Sequence, residues 1–134
     1  MSEWPVSPEA NEIIDAFERS ECAVLLGMRV TGAWDHGVSV AMDTAGKNGP
    51  GGVAHGGAVF TLADHAFGIA ANMGGTRQVA LSANIQYISP ATGMLEAVAE
   101  RISGNEMCSV YRISVSSAGK LVAVFEGVGI SVGK

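Results

Sequence analysis

Residues Asn48 to Met73 read NGPGGVAHGGAVFTLADHAFGIAANM, and the rest of the chain is organised around them. A glycine-rich loop runs into His55-Gly56-Gly57, and a helical pattern begins at once. Within that pattern, from about Gly56 to Met73, Asp64 is the only acid and neither Lys nor Arg occurs. At about 100° per residue, Ala58, Val59, Leu62, Ala63, Ala66, Ile69, Ala70 and Met73 form one apolar stripe, the expected core face. Asp64 points almost the opposite way, among Gly57, Phe60, Phe67, Gly68 and Ala71. Thr61, His65 and Asn72 make a narrow polar strip between the two. Glycines let another backbone approach and phenylalanines favour burial, so this second face is expected to meet another subunit.

Outward from this helix the pattern changes period. Ser7-Pro8 reads as an N-cap with proline at the first helical position, and Ala10, Ile13, Ile14 and Phe17 follow at helical spacing, giving a short helix over 8–20. Cys22 to Leu26 adds a turn that Gly27 ends. Met28–Trp34 and Val38–Met42 flank Asp35-His36-Gly37 as a hairpin. After Arg77 the period is two: Val79, Leu81, Ala83, Ile85 and Tyr87 on one face, Ala80, Ser82, Asn84 and Gln86 on the other. Strands follow at Met94–Ile102, Met107–Ser116 and Leu121–Val132, and the short connections predict antiparallel neighbours. The last strand is apolar on both faces, so one side is expected to take the helix and the other a second subunit.

Composition narrows the function. The 134 residues, 48% of them hydrophobic, suit one domain spanning 1–134. Eight basic residues against thirteen acidic ones, without a basic cluster, exclude a nucleic-acid surface. Cys22 and Cys108 form neither a metal motif nor a disulfide framework, and no cofactor or metal is expected. Met1-Ser-Glu-Trp lacks a basic region and an apolar region, so a secretory signal is not expected. The apolar stretch from Val53 to Met73 is interrupted by His55, Asp64 and His65, which argues against a membrane span. A cytoplasmic protein without membrane or nucleic-acid partners is expected.

Asp64 has two readings, a structural carboxylate bonded locally or a base whose pKa is raised by apolar neighbours. His55-Gly56-Gly57 is either a plain loop-to-helix junction or an oxyanion site, where free amides at the positive end of the helix meet a carbonyl oxygen. His36 and His65 are read as surface or local hydrogen-bonding residues. Eight residues separate Gly56 from Asp64, roughly 12 Å along the axis. One carbonyl cannot serve both groups of a single helix, so a shared substrate requires two antiparallel helices from two chains.

The pattern HGG-x4-L-x-D-x-A, His55 to Ala66, resembles the hotdog-fold acyl-CoA thioesterases, and most nearly the phenylacetate-degradation (PaaI-type) branch. Ala80-Leu81-Ser82 through Tyr87-Ile88-Ser89-Pro90, and Tyr111-Arg112 through Gly119-Lys120-Leu121-Val122-Ala123, are similar to that branch's later strands. The resemblance implies an α+β hotdog fold, a long central helix wrapped by an antiparallel sheet of about five to six strands, paired into homodimers and homotetramers. It implies hydrolysis of an aromatic or short to medium acyl-CoA. The Gly56 amide would hold the thioester oxygen, Asp64 would attack or activate water, and His55 would shape the turn. Asn48 is similar to a site asparagine, although it stands one residue further from His55 than in the family pattern. Some relatives carry serine at the place of Ala80, where Ser82 is a substitute. Gly57, Phe60, Ser82 and Ala80 are the expected substrate contacts, with Phe67 and Tyr87 as further pocket candidates. Arg101, Arg112 and Lys120 are candidates for the CoA phosphates. The competing classes are a non-catalytic acyl-CoA-binding hotdog protein, which needs no acid, and a hotdog dehydratase or hydratase, which relies on a histidine base.

Overall fold

The computed structural model describes residues 3–133. Two short helices, α1 (Pro8–Glu18) and α2 (Glu21–Leu26), precede a hairpin of β1 (Arg29–Trp34) and β2 (Gly37–Asp43). The long helix α3 (Gly56–Asn72) follows, then β3 (Arg77–Tyr87), β4 (Met94–Gly104), β5 (Cys108–Ser117) and β6 (Lys120–Gly133). The strands form one antiparallel sheet in the order β1-β2-β4-β5-β6-β3. The sheet curls around α3, which is the hotdog arrangement. Among the described residues no helix is long and apolar enough to cross a membrane.

Local chemistry sets the helix ends. Ser7 caps α1 by accepting from the Ala10 amide, with Pro8 in the first turn. Ser20, expected as the last residue of that helix, instead caps α2: its Oγ accepts from Ala23 N–H and donates to Phe17 O. A single serine thus ends one helix and starts the next. Gly27 closes α2 at φ 67, a conformation that favours glycine.

The sheet departs from the sequence reading in its neighbours. β3 pairs with β6, not with β4, and β4 lies between β2 and β5. The link 88–93 carries the chain past the start of α3, where Ala54 N–H donates to Ala91 O and Thr44 N–H to Gly93 O. Six extended residues reach about 20 Å, enough to cross three strand spacings of about 4.8 Å each.

The core lies between α3 and the inner face of the sheet. Leu62, Ala63, Ala66 and Ile69 are fully buried against Val38, Val40, Leu95, Ala97, Ile113 and Phe125. Burial reaches further round the helix than the stripe predicted. Phe67, expected at a subunit contact, is 2% exposed and packs its ring 5.8 Å from both Tyr111 and Phe125. Phe60 stands edge-on to Phe125 at 5.3 Å. Gly68 lies under Phe17 of α1, where a Cβ would come within 3.0 Å of the ring. The curl of the sheet and the N-terminal helix therefore cover residues that the helical projection left open. What stays exposed on α3 is Gly57 and Asp64, with Thr61 half-buried between them.

β3 is the outer edge of the sheet, and all its residues are exposed or half-buried. It carries a bulge at Leu81, since Ala80 pairs with Gly129 and Ser82 with Val128. The extra residue reverses the alternation. Gln78, Ala80, Ala83 and Ile85 face the helix, while Ser82, Asn84 and Gln86 face away. Ala80 and Ser82 do not share a face, contrary to the strict period-two reading.

Gly127 opposes Phe67, and a Cβ there would lie 2.9 Å from three ring atoms. Gly127→Ala is expected to lower unfolding stability by about 1–3 kcal/mol, the usual cost of overpacking. The urea midpoint should fall with an unchanged slope. An unaltered midpoint would show that the ring shifts freely.

Candidate active site

The entry to α3 is built by a small hairpin. His55 N–H donates to Lys47 O at 2.9 Å and Gly49 N–H to Val53 O at 2.8 Å, with Asn48 bridged to Ala54. Gly51 and Gly52, at φ 87 and φ 77, supply the left-handed conformations this tight reversal needs. The hairpin sets Asn48, exposed, next to the strand segment that leads into His55.

His55 is the N-cap. It is extended at φ −61, ψ 135, and its Nδ1 accepts from the Gly57 amide at 2.9 Å. Ala58 and Val59 amides donate to His55 O at 2.9 and 3.2 Å. Among the described residues the Gly56 N–H has no such partner. The imidazole cap therefore distinguishes two neighbouring glycines: Gly57 is committed to the helix start, and Gly56 keeps its donor at the positive helix end. Tyr87 donates its hydroxyl to Gly56 O at 3.0 Å, and a Cβ on Gly56 would stand 3.3 Å from the tyrosine ring. Glycine is the residue that leaves this approach open.

Asp64 lies two turns further along. Among the described residues neither an ion pair nor a hydrogen bond reaches its carboxylate. Burial raises its pKa above the usual carboxylate value. The residue as a whole is exposed in the single chain. Among the described residues no cation is paired with it to offset the lost hydration.

Asp64 and Ala80 line one of two hollows and Gly56 the other, whereas Asn48, His55 and Gly57 line neither. One, of about 370 Å³, holds Asp64, Thr61 and Ala80 beside Phe17, Phe67 and Val79. The other, of about 300 Å³, holds Gly56 with Tyr87, Ala91 and Val122. Within one chain the amide and the carboxylate open into separate spaces. Ser82 enters neither, because the bulge turns it to the outer sheet face, and Phe60 is spent on Phe125. Arg112 is held by Glu126 at 2.7 Å on that outer face. Arg101 lies near Tyr111, where its charge works against the upward push of burial on the phenol.

His65, expected at the surface or in a local hydrogen bond, is in neither situation. It is 9% exposed, its ring meets Phe17 edge-on at 5.7 Å, and its Nε2 is buried without a partner among the described residues. Burial lowers its pKa, which keeps the imidazole neutral. Gln78, unremarked in the sequence, lines the same hollow as His65 and Asp64. Neither shows in helical or strand periodicity, because α1 and the bulge create the hollow.

The thioesterase superfamily matches residues 51–127. The acyl-coenzyme A thioesterase PaaI of Escherichia coli K12 is 33% identical over 122 residues, 87% of this chain and 86% of that protein. The structure of the E. coli PaaI protein from the phenylacetic acid degradation operon superposes with a TM-score of 0.89 at 30% identity, covering 96% of each chain. A mutant of the phenylacetic acid degradation protein PaaI from Thermus thermophilus gives 0.79 at 34% identity, over 83% of this chain and 98% of that one. The chain belongs to the thioesterase superfamily and is a thioester hydrolase of the hotdog fold.

A carboxyl whose pKa is raised on folding binds its proton more tightly in the folded state. Its contribution is complete below the unfolded pKa, about 4, and is lost as pH rises through the folded value. Asp64→Asn removes that loss. The variant is expected to melt above wild type at neutral pH, with the difference shrinking as pH falls towards about 4. Thermal melts from acid to neutral pH check this, and a difference independent of pH would show that the carboxyl is fully hydrated.

Proposed function

We propose that the protein hydrolyses the thioester of an aromatic or short to medium acyl-CoA at a site shared by two chains. The observation that carries the reading is a pair of groups on one helix, the Gly56 amide and the Asp64 carboxylate, that have no partner among the described residues and lie in separate hollows. The names of the relatives, an acyl-coenzyme A thioesterase and proteins of phenylacetic acid degradation, support the substrate class. In this reading the whole chain is one catalytic domain that works in the cytoplasm without cofactor, nucleic acid or membrane.

In the proposed site the thioester oxygen accepts from Gly56 N–H, which steadies its negative charge as the carbonyl carbon becomes tetrahedral. Asp64 of the other chain delivers the attack. It either adds its own oxygen to that carbon or takes a proton from a water whose oxygen adds instead. The carbon–sulfur bond then breaks, and CoA leaves as a thiolate that picks up a proton. Water completes the first route by hydrolysing the acyl–Asp64 anhydride. His55 holds Gly57 and so fixes the direction of the Gly56 amide. In this reading Asn48, on the adjoining hairpin, orients substrate or water, Gly57 is a substrate contact of the same chain, and Ala80 lines the hollow of Asp64.

The pairing surface in this reading is β3. Its outer edge carries unpaired backbone groups, and Val79, Leu81 and Tyr87 are 46%, 61% and 55% exposed. A free edge of this kind pairs readily with another strand. Pairing of two β3 strands about a two-fold axis makes a homodimer, brings two α3 helices antiparallel, and sets the Gly56 hollow of one chain towards the Asp64 hollow of the other. Two such dimers form the proposed homotetramer.

Free-thiol release from a panel of acyl-CoAs tests the activity. Asp64→Asn is expected to lower turnover at least about 100-fold, the lower end for losing a base. Turnover near wild type in the folded variant would remove Asp64 from the mechanism.

The shared site is tested by mixing. Gly56→Pro deletes the N–H, and His55 already has the extended backbone that a residue before proline prefers. Asp64→Ala deletes the carboxylate. A mixed dimer holds one intact site and one empty of both groups. Equal amounts reassembled at random are expected to regain about a quarter of wild-type activity. Mixed dimers, confirmed by mass, that stay as inactive as either parent would place both groups in one chain.

A further inference from the structure

The start of α3 sets two glycines side by side, and the first of them carries an N–H without a partner among the described residues. Glycine loses more conformational freedom on ordering than any other residue, so a donor on such a pair has to be held by its surroundings. Three successive peptide units are held here. His55 O accepts from the Ala58 and Val59 amides at 2.9 and 3.2 Å, which fixes the unit that carries the Gly56 N–H. Gly57 O accepts from Thr61 Oγ1 at 2.7 Å. The middle unit, Gly56–Gly57, is held at both ends. Its N–H donates to His55 Nδ1 at 2.9 Å, and its carbonyl accepts from Tyr87 Oη at 3.0 Å.

Every one of these contacts but the last comes from α3 and its own cap. Tyr87 lies 31 residues away in the chain, at the end of β3. Its backbone is fixed on β6, where it pairs with the buried Ala123, and the Ile88 and Ser89 amides just beyond it both donate to Val122 O. The alternation that turns Ile85 towards the helix turns Tyr87 the same way. Its ring stands over Gly56, where a Cβ would lie 3.3 Å from it. Phenylalanine would pack in the same manner. What the hydroxyl adds, among the described residues, is the bond to Gly56 O.

Resting on the thioesterase reading, we infer that Tyr87 is a positioning residue whose hydroxyl locks the Gly56–Gly57 peptide unit and so holds the Gly56 N–H on the thioester oxygen. Tyr87 itself does not touch the reacting atoms in this role. Without the hydroxyl the Gly56 carbonyl turns more freely and the first turn of α3 frays. His55 O then loses the Ala58 and Val59 amides, and the Gly56 N–H on the same peptide unit loses its direction. An oxyanion donor works by being oriented before charge develops. Loss of that orientation falls on the transition state rather than on substrate binding. Because β3 is also the proposed pairing strand, the element that joins two chains carries the lock on the donor.

The test measures thiol release from acetyl-, hexanoyl-, benzoyl- and phenylacetyl-CoA, with kcat and KM taken on the substrate that wild type hydrolyses fastest. Tyr87→Phe keeps the ring and deletes the hydroxyl. It is expected to lower kcat about 10-fold with KM within about two-fold, short of the roughly 100- to 1000-fold cost of deleting an oxyanion donor. Hydrogen exchange over residues 55–60, read by mass spectrometry, should be faster in the variant, while the later turns of α3 exchange as in wild type. Light scattering should show the same assembly for both proteins. Tyr87→Leu is read in the same way and decides the matter if Tyr87→Phe does not fold by circular dichroism. An unchanged kcat would overturn the positioning role, and a raised KM beside it would make the hydroxyl a substrate contact instead. A fall in kcat with unchanged exchange over 55–60, or one that follows loss of the assembly, would overturn it as well. Each of these outcomes leaves the thioesterase standing. Absence of thiol release by wild type from every member of the panel would overturn both.

Discussion

A helix with a single charged side chain in its length cannot leave much of its surface to water, and the architecture follows from that constraint. α3 carries Asp64 and otherwise only small, apolar or uncharged residues. Most of its surface must be covered, and a flat sheet covers only one face of a helix. The six strands therefore curl, and α1 closes the flank the curl leaves open. Where the cover approaches closely, glycine and alanine make the room: Gly127 for Phe67, Gly68 for Phe17, and Ala97 and Ala99 on the strand behind the helix. The strip left open runs through Gly57, Thr61 and Asp64, beside the hollow that Thr61 and Asp64 line.

The same constraint explains why the site is electrostatically uncomfortable. A carboxylate with neither a cation nor a donor close by loses hydration and gains nothing in return, so its pKa rises. A raised pKa lowers stability at neutral pH and improves the group as a base. At the N-terminus of the helix the imbalance has the opposite sign. His55 satisfies one amide and leaves its neighbour's free at the positive end of the dipole. The chain thus holds an unpaired donor and an unpaired acceptor on one rigid rod, too far apart for a single carbonyl.

One inserted residue in β3 has consequences beyond its strand. The bulge at Leu81 turns Gln78 and Ala80 towards α3 without disturbing the inward set of Ala83 and Ile85. It gives the Asp64 hollow its far wall, and it takes Ser82 out of reach. Edge strands commonly carry such bulges.

Much was legible in the sequence because it was local. The cap at Ser7, the stop at Gly27, the glycine loop, the extent of α3 and the isolation of Asp64 each depend on residues within a turn or two of one another. The separation of the Gly56 amide from Asp64 could be read for the same reason, since a helix fixes the spacing of eight residues. What tertiary structure decided was which surfaces remain uncovered. Helical projection placed Phe67 and Gly68 on an open face, but a curled sheet and a docked α1 bury them, and neither lies near α3 in sequence. Strict alternation placed Ala80 with Ser82, but the pairing with β6, some fifty residues away, inserts a residue and separates them. His65 was indistinguishable from a surface histidine until Phe17 of α1 packed against its ring. Periodicity reports the face a residue presents, whereas burial depends on what arrives from elsewhere in the chain to meet that face.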